Sequence, residues 1–531
     1  MAIDISKLTF TTGADIVPHR GTTVEIINTG MVNTLSGNDQ LTGTGNLVGI
    51  FNKGGIIKTC AGSDTITGNG KGINSIGIFN DYGSIITGAG NDQITGIGTG
   101  TGNGGEGISN NKGTINTGAG NDTITGNGGD GIDNRGIIDT GTGNDLISGT
   151  GNGNTGGGVF GGSGIENTGI IKTGAGNDII SGIATNQEYN PLGIYNKIGG
   201  IIDTGTGDDL IYGSVSNVHT GIFNEGTINT GAGNDTIAGH GGFMGIYNTG
   251  IIDTGTGDDL INGTNGYDGI DNSGVINTGA GNDTITGAAN VGIYNEGTIN
   301  TAAGDDVIYG AGGGSDSVGI DNKYGGVIDT GAGNDTITGS INGTYANVGN
   351  VLSGISNRGN INTGDGNDII TGTGIETNSE YNPVGIYNEG TINSGDGNDT
   401  ITGTATINTG GGSVFGGVFN SGIIETGVGN DIVDALTGGF EGNGIILLGD
   451  GADVLKGFGN GFFDGGNGNK DKLLFGTGSY IVSATTNFQG FYTVNNGTTD
   501  MFVKNFEFIG SASNPAAAFC FSSVIGETFM V

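Results

Sequence analysis

Apolar residues in this chain come in short alternating runs rather than in helical stripes. Isoleucine alternates with small or polar residues in pieces such as TINTG at 114–118 and DTITG at 122–126, each closed by glycine. Period-two alternation of this length predicts β-strands, and the frequent glycine leaves no stretch for an amphipathic helix. Three pieces follow one another in fixed order: G-I-x-N, then [T/I/V]-I-x-T, then D-x-I-x-G. The triplet recurs, as in GISNNKGTINTGAGNDTITG at 107–126, GIFNEGTINTGAGNDTIAG at 221–239 and GIDNSGVINTGAGNDTITG at 269–287.

The aspartate closing each GND-type turn marks the register: Asp39, Asp64, Asp92, Asp122, Asp145, Asp178, Asp209, Asp235, Asp259, Asp283, Asp306, Asp335, Asp368, Asp399, Asp431 and Asp453. The mean step is about 28 residues, a period in the range of solenoid repeats. The steps vary because the connection after the last glycine of each unit changes length. No unit can bury its few isoleucines alone, so neighbours must stack. The expected fold is all-β, a parallel β-solenoid of about 16 coils with a β-rich C-terminal cap. Stacking places like over like: Ile78, Ile108, Ile132, Ile165 and Ile194 in one inner row, Ile94, Ile124, Ile147, Ile180 and Ile211 in another. An asparagine row, Asn52, Asn80, Asn110, Asn134, Asn167 and onward to Asn420, can form an amide ladder at the strand spacing of about 4.8 Å. The chain divides into an N-terminal cap at 1–27, repeats at 28–475, and a C-terminal stretch at 476–531 where the repeat stops and aromatic residues concentrate.

Composition sharpens this. Glycine supplies 123 of 531 residues, and with 4 prolines neither collagen nor a polyproline rod is available. Two cysteines, Cys60 and Cys520, lie far apart, so disulfides cannot compensate for a thin core. The 52 acidic residues against 15 Lys and Arg give a formal charge of −37, which excludes electrostatic binding of nucleic acid. No apolar run has the roughly 18 residues of a membrane span, and the N-terminus lacks the basic-then-apolar pattern of a Sec-type leader.

The acidity creates a problem that the turns themselves answer. Aspartates stacked about 5 Å apart repel by roughly 3 kcal/mol at an effective dielectric of 20, so the column needs a counter-charge. Glycine-rich turns expose carbonyl oxygens, and each aspartate adds a hard anionic oxygen, a donor set that suits Ca²⁺. One ion between each pair of adjacent turns gives about fifteen sites and removes most of the negative charge. The metal candidates are the sixteen aspartates above together with Asp471, which follows Asp453 after a shorter step. Cys60 replaces a turn glycine, and Asp365 and Asp396 replace the usual turn alanine, so those coils differ from the rest.

At this point a family resemblance is evident. TGAGNDTIT at 117–125, with copies at 140–148, 230–238, 278–286 and 330–338, resembles the nonapeptide of RTX, or hemolysin-type, calcium-binding repeats, with threonine in the first glycine place. The resemblance covers roughly 34–475. It implies secreted proteins that fold outside the cell around calcium held by turn carbonyls and aspartates. One departure is clear: this chain has one nonapeptide per long coil, more like the β-helical passengers of bacterial adhesins, whereas the family's usual roll has two. The C-terminus, ending GETFMV, is similar to the family's type I export signal, and reads equally as a plain cap on the solenoid.

Enzymatic chemistry is not evident. No H-E-x-x-H, Walker A or G-x-S-x-G motif occurs. GNGGDG at 126–131 fits G-x-G-x-x-G but precedes no helix, and the pairs Asp208/Asp209, Asp258/Asp259 and Asp305/Asp306 sit in the turns. His19, His219 and His240 form no motif, and the latter two, in variable connections, read as solvated. The expected function is a secreted, non-enzymatic, calcium-binding structural or adhesive protein of a bacterial cell surface. Its variable corner loops, including the twin inserts NQEYNPLGIYN at 186–196 and NSEYNPVGIYN at 378–388 and the VFGG copies at 159–162 and 414–417, are the places for self-assembly or a surface glycan. The alternatives are a calcium-dependent ice-binding protein, although its threonine rows are broken by Leu146, Tyr212, Asn262 and Tyr309, and a polysaccharide-acting β-helix enzyme.

Overall fold

Each repeat folds as one coil of three strands, and each strand pairs in parallel with its counterpart in the next coil. The computed structural model describes the chain except residues 1–2, 21–22, 100–104, 154–161, 186–189, 217–218, 315–316, 344–351, 377–382 and 408–415. The first parts of both twin inserts, three residues of the first VFGG copy and two of the second therefore lie outside the described residues. The fold is a parallel β-solenoid. Among the described residues its only helices are short 3-10 turns at Ile5–Lys7, Pro515–Ala517 and Phe521–Ser523.

One coil illustrates the rest. Ile108–Asn111 lies in the first sheet, Thr114–Ala119 in the second and Thr123–Gly128 in the third. Each pairs in register with the following coil: Ile108 with Ile132, Ile115 with Ile138, Ile124 with Ile147. All six isoleucines are fully buried. Three such residues per coil, each contributing about 1.5–3 kcal/mol on burial, form the apolar columns that hold successive coils together. The first and third sheets converge tightly enough to require glycine: a Cβ on Gly126 would lie 2.0 Å from the carbonyl oxygen of Gly131.

The chain forms two compact units: Met1–Tyr267 with Gly274–Gly279, and Asp268–Ser273 with Ala280–Val531. In the first, the asparagine row is a continuous ladder in which each amide donates to the next, from Asn28 to Asn52 at 2.9 Å through Asn110 to Asn134 at 2.8 Å and on to Asn224 and Asn248 at 2.8 Å. Regular pairing begins upstream of residue 28, since Ile16–Arg20 pairs with Gln40–Thr44 and Val24–Asn28 pairs with the strand starting at Val48. In the second unit the ladder runs from Asn272 to Asn295 and onward to Asn388 and Asn420, each at 2.8 Å. That unit ends in antiparallel strands: Ser479–Val482 pairs with Tyr492–Asn495 and with Thr528–Met530. Phe475, Tyr480 and Phe529 pack over its last coil, with Phe475 and Tyr480 centroids 4.5 Å apart. The final apolar residues are therefore part of a folded β cap.

Candidate metal column

The T-G-A-G-N-D turn joins the second sheet to the third, and its backbone shape depends on glycine. In the coil above, Gly118 has φ +98°, and a Cβ there would meet the carbonyl oxygen of Gly88 at 1.9 Å. The turn carbonyls thus point along the stack toward the next coil. Where Cys60 and Ala302 replace this glycine they adopt the same left-handed conformation, with φ +75° and +69°.

Closing the turn, the aspartate side chain reaches to the neighbouring coil. In the first unit the backbone N–H of Asp39 donates to Asp64 Oδ1 at 2.8 Å, that of Asp64 to Asp92 at 2.8 Å, that of Asp92 to Asp122 at 2.8 Å, and that of Asp122 to Asp145 at 2.8 Å. The series continues through Asp178, Asp209 and Asp235 to Asp259. In the second unit it runs from Asp283 through Asp306, Asp335, Asp368, Asp399, Asp431 and Asp453 to Asp471. All seventeen predicted residues are at most 2% exposed, so these carboxylates line the interior of the turn and not a solvent edge.

Two members of the column escaped the sequence. Asp15 donates its N–H to Asp39 Oδ1 at 2.7 Å, and Glu507 Oε2 accepts the N–H of Asp471 at 3.0 Å. Neither sits in a GND turn, so no periodic signal marked them. A parallel column of opposite sense runs one residue earlier: the N–H of Asn121 donates to Asn91 Oδ1 at 3.0 Å and that of Asn144 to Asn121 Oδ1 at 2.9 Å. The paired carboxylates separate between these columns. Asp208, Asp258 and Asp305 are exposed while Asp209, Asp259 and Asp306 are buried, an arrangement that does not set two carboxyls on one substrate.

Half of each carboxylate is spent on an amide. The other oxygen, Oδ2, is buried without a hydrogen-bond partner in Asp39, Asp64, Asp92, Asp122, Asp145, Asp178, Asp209 and Asp235 of the first unit, and in Asp306, Asp335, Asp368, Asp399, Asp431, Asp453 and Asp471 of the second. Each neighbouring threonine has a single proton, which it gives to a backbone carbonyl, Thr87 Oγ1 to that of Thr117 and Thr117 Oγ1 to that of Thr140, each at 3.2 Å, so its pull on the adjacent carboxylate is weak and shared. Among the described residues none of these fifteen aspartates forms an ion pair with lysine or arginine; the cations pair elsewhere, as Arg135 does with Asp133 and Lys456 with Asp434. Burial accordingly pushes the carboxyls up, opposed by the amide of the preceding aspartate and the nearby hydroxyl: Asp122, Asp209, Asp306, Asp399 and Asp431 to about 6, and Asp453, with less help, to about 7.

The donor set fits a hard divalent cation. Within each unit, the intervals bordered by these fifteen aspartates offer an anionic oxygen with unspent acceptor capacity, and the turn carbonyls run alongside. No group of three or more His, Cys, Asp or Glu side chains converges on one point among the described residues, so the carboxylates form a line rather than a cage. An ion between coils would draw its remaining ligands from backbone oxygen or water, as Ca²⁺ readily does.

The histidines do not join this column. His240 bonds Thr264 and Asn265 side chains, while His219, expected in solvent, is half-buried in the wall of a cavity.

No protein-family model matches the chain, and no curated protein matches it. Among solved structures it is similar to a hyperactive, Ca²⁺-dependent, β-helical antifreeze protein from an Antarctic bacterium, at 18% identity and a TM-score of 0.28, over 86% of this chain and 87% of that chain.

Proposed function

We propose that this chain is a calcium-binding structural or adhesive protein that works outside the cell, its solenoid completed by cations along the aspartate column. The observation that carries the reading is the run of buried carboxylate oxygens with neither a hydrogen bond nor an ion pair. At neutral pH such oxygens oppose folding, since an unpaired buried charge costs several kcal/mol. Bound Ca²⁺ supplies positive charge between successive turns and links one coil to the next. Asp64, Asp92, Asp122 and their counterparts would hold it through Oδ2, while Oδ1 keeps the amide that fixes the carboxylate in place. The turn glycines bring backbone carbonyls alongside. Metal binding of this kind is folding free energy, so the acidic chain stays open at sub-micromolar calcium and folds in the millimolar range of extracellular modules. Among the described residues no helix is long and apolar enough to cross a membrane.

A calcium titration of chelated protein, followed by far-UV circular dichroism, tests this. A cooperative gain of β structure between roughly 0.1 and 1 mM calcium is expected. Full β structure in chelator would refute it.

Ice binding has one observation in its favour. On the outer face of the third sheet, Thr336, Thr338 and Ser340 pair in register with Ile369, Thr371 and Thr373, and these with Thr400, Thr402 and Thr404. Three adjacent coils thus present a regular array of hydroxyls and methyls. Thermal hysteresis in folded protein would support that reading, and its absence would remove it.

A further inference from the structure

Three consecutive coils of the first unit build a cavity of about 430 Å³ that the metal column does not use. Its floor is Phe223 and Tyr247, two members of a column of rings on the outer face of the first sheet. Tyr195, Phe223 and Tyr247 occupy the position after the core isoleucine in the strands Ile194–Asn196, Ile222–Asn224 and Met244–Asn248, and they stack at 4.9 and 4.7 Å. Leu192 and Met244 line one side. Phe243, 49% exposed, stands at the mouth and stacks on Tyr267 at 6.3 Å. The segment bearing Phe243 is anchored to the coil before it, with the Phe243 N–H donating to the His219 carbonyl at 3.2 Å.

Among the described residues the polar part of the lining is small and uncharged: Asn190, His219 and Thr220. His219 and Thr220 stand side by side in the wall, and among the described residues neither the imidazole nor the hydroxyl makes a hydrogen bond. Desolvation lowers the His219 pKa, so at neutral pH the ring offers one donor and one acceptor and no charge. Among the described residues no Lys, Arg, Asp or Glu lines the cavity. Among the described residues, charges on the same ring column are committed: Glu225 accepts the Tyr195 hydroxyl at 2.8 Å, and Lys197 pairs with Glu166.

We infer that this cavity binds one neutral hexopyranose unit of a saccharide. An ionic ligand would meet no counter-charge among the described lining residues. A wholly apolar ligand would strand the imidazole and hydroxyl without partners, which is costly in a desolvated site. A pyranose satisfies both walls: its C–H face lies against Phe243, Met244 and the ring edges, and its hydroxyls meet His219 and Thr220. The volume lies at the lower end of ligand pockets, enough for one or two sugar rings and too small for a folded partner. The site supplies the ligand class for the adhesive side of the proposed function, and its test is separate from calcium-driven folding.

The experiment is saturation-transfer NMR on the full chain, folded in calcium, with the methyl glycosides of glucose, galactose, mannose and N-acetylglucosamine, and with indole as a planar apolar probe. At least one glycoside is expected to bind at millimolar concentration. Phe243→Ala, His219→Ala and the isosteric Thr220→Val should each weaken it about fivefold to tenfold. Phe79→Ala, which opens a different ring stack on the same face, should leave it unchanged. Circular dichroism of each variant separates loss of the site from loss of fold. Binding of indole alone, binding of no glycoside by folded protein, or glycoside binding unaffected by all three cavity variants would overturn the assignment. A chain that folds without calcium but binds the glycoside would refute the metal reading and leave this one standing.

Discussion

Replacing one aspartate in the middle of the column should change the sign of its effect with calcium concentration. Asp209 is 2% exposed, accepts the Asp178 N–H at 2.8 Å and donates its own N–H to Asp235 at 2.8 Å. Asp209→Asn keeps the Oδ1 acceptor and the side-chain shape while removing the charge on Oδ2. Burial raises the Asp209 carboxyl from 3.8 to about 6. A raised carboxyl pKa means that stability is greatest with the group protonated, below its unfolded value, and is lost as pH rises through the folded value. At pH 7 without a cation, the charge therefore costs on the order of 3 kcal/mol, which the asparagine relieves. In calcium the balance reverses, because the residue borders two intervals and each ion contributes about 2.7 kcal/mol at a free concentration of one hundred times its Kd. Losing both costs about 5 kcal/mol, a net loss of roughly 2 kcal/mol against the wild-type chain. Urea midpoints read by far-UV circular dichroism over a calcium series should cross: the variant is more stable at the lowest calcium that supports folding and less stable at saturation. A shift in the same direction at every calcium concentration would refute the account of the column.

Other predictions follow from the rest of the structure. Burial, followed by the charges of Glu166, Asp133 and Glu106, raises Asp130 to about 7 against the opposing Ser163 N–H, so its contribution to stability is lost as pH rises from about 4 to about 7; Asp130→Asn should flatten the thermal-melting pH profile in that window by roughly 4 kcal/mol. Asn110→Ala removes the acceptor of Asn80 at 2.8 Å and the donors to Asn134 at 2.8 Å and the Ile137 carbonyl at 3.1 Å, in a site with no access to water; chemical denaturation should register a loss of about 2–4 kcal/mol. Gly118→Ala places a Cβ 1.9 Å from the Gly88 carbonyl oxygen at φ +98°, and the calcium midpoint of folding should rise with a stability loss of roughly 3 kcal/mol; an unchanged midpoint would mean that the turn can relax.

Everything that repeats could be read from the spacing of residues along the chain. A parallel solenoid has translational register, so residues at equal offsets in successive units must stack, and Ile108 over Ile132 or Asn110 over Asn134 follows from spacing alone. The three strands per coil, the amide ladder and the alignment of GND aspartates were legible for that reason. What the tertiary structure decided is how those aligned groups are oriented and what non-repeating residues join them. Alignment placed Asp92 beside Asp122, but not that one oxygen would be consumed by the neighbouring amide while the other stayed buried and unpartnered, because that depends on backbone direction through two left-handed glycines and on the turn of the adjacent coil. Glu507 ends the column although it lies 36 residues beyond Asp471, since after an antiparallel excursion Phe508–Ser511 pairs in parallel with Lys472–Phe475. The cavity was half hidden: Leu192, Thr220 and Met244, two places before a core isoleucine, and Phe223 and Tyr247, one place after it, stack by the repeat, whereas His219 and Phe243 come from connections of different length that no period marks. Periodic contacts are encoded in the spacing of the chain, whereas a contact that occurs once exists only when the chain has folded.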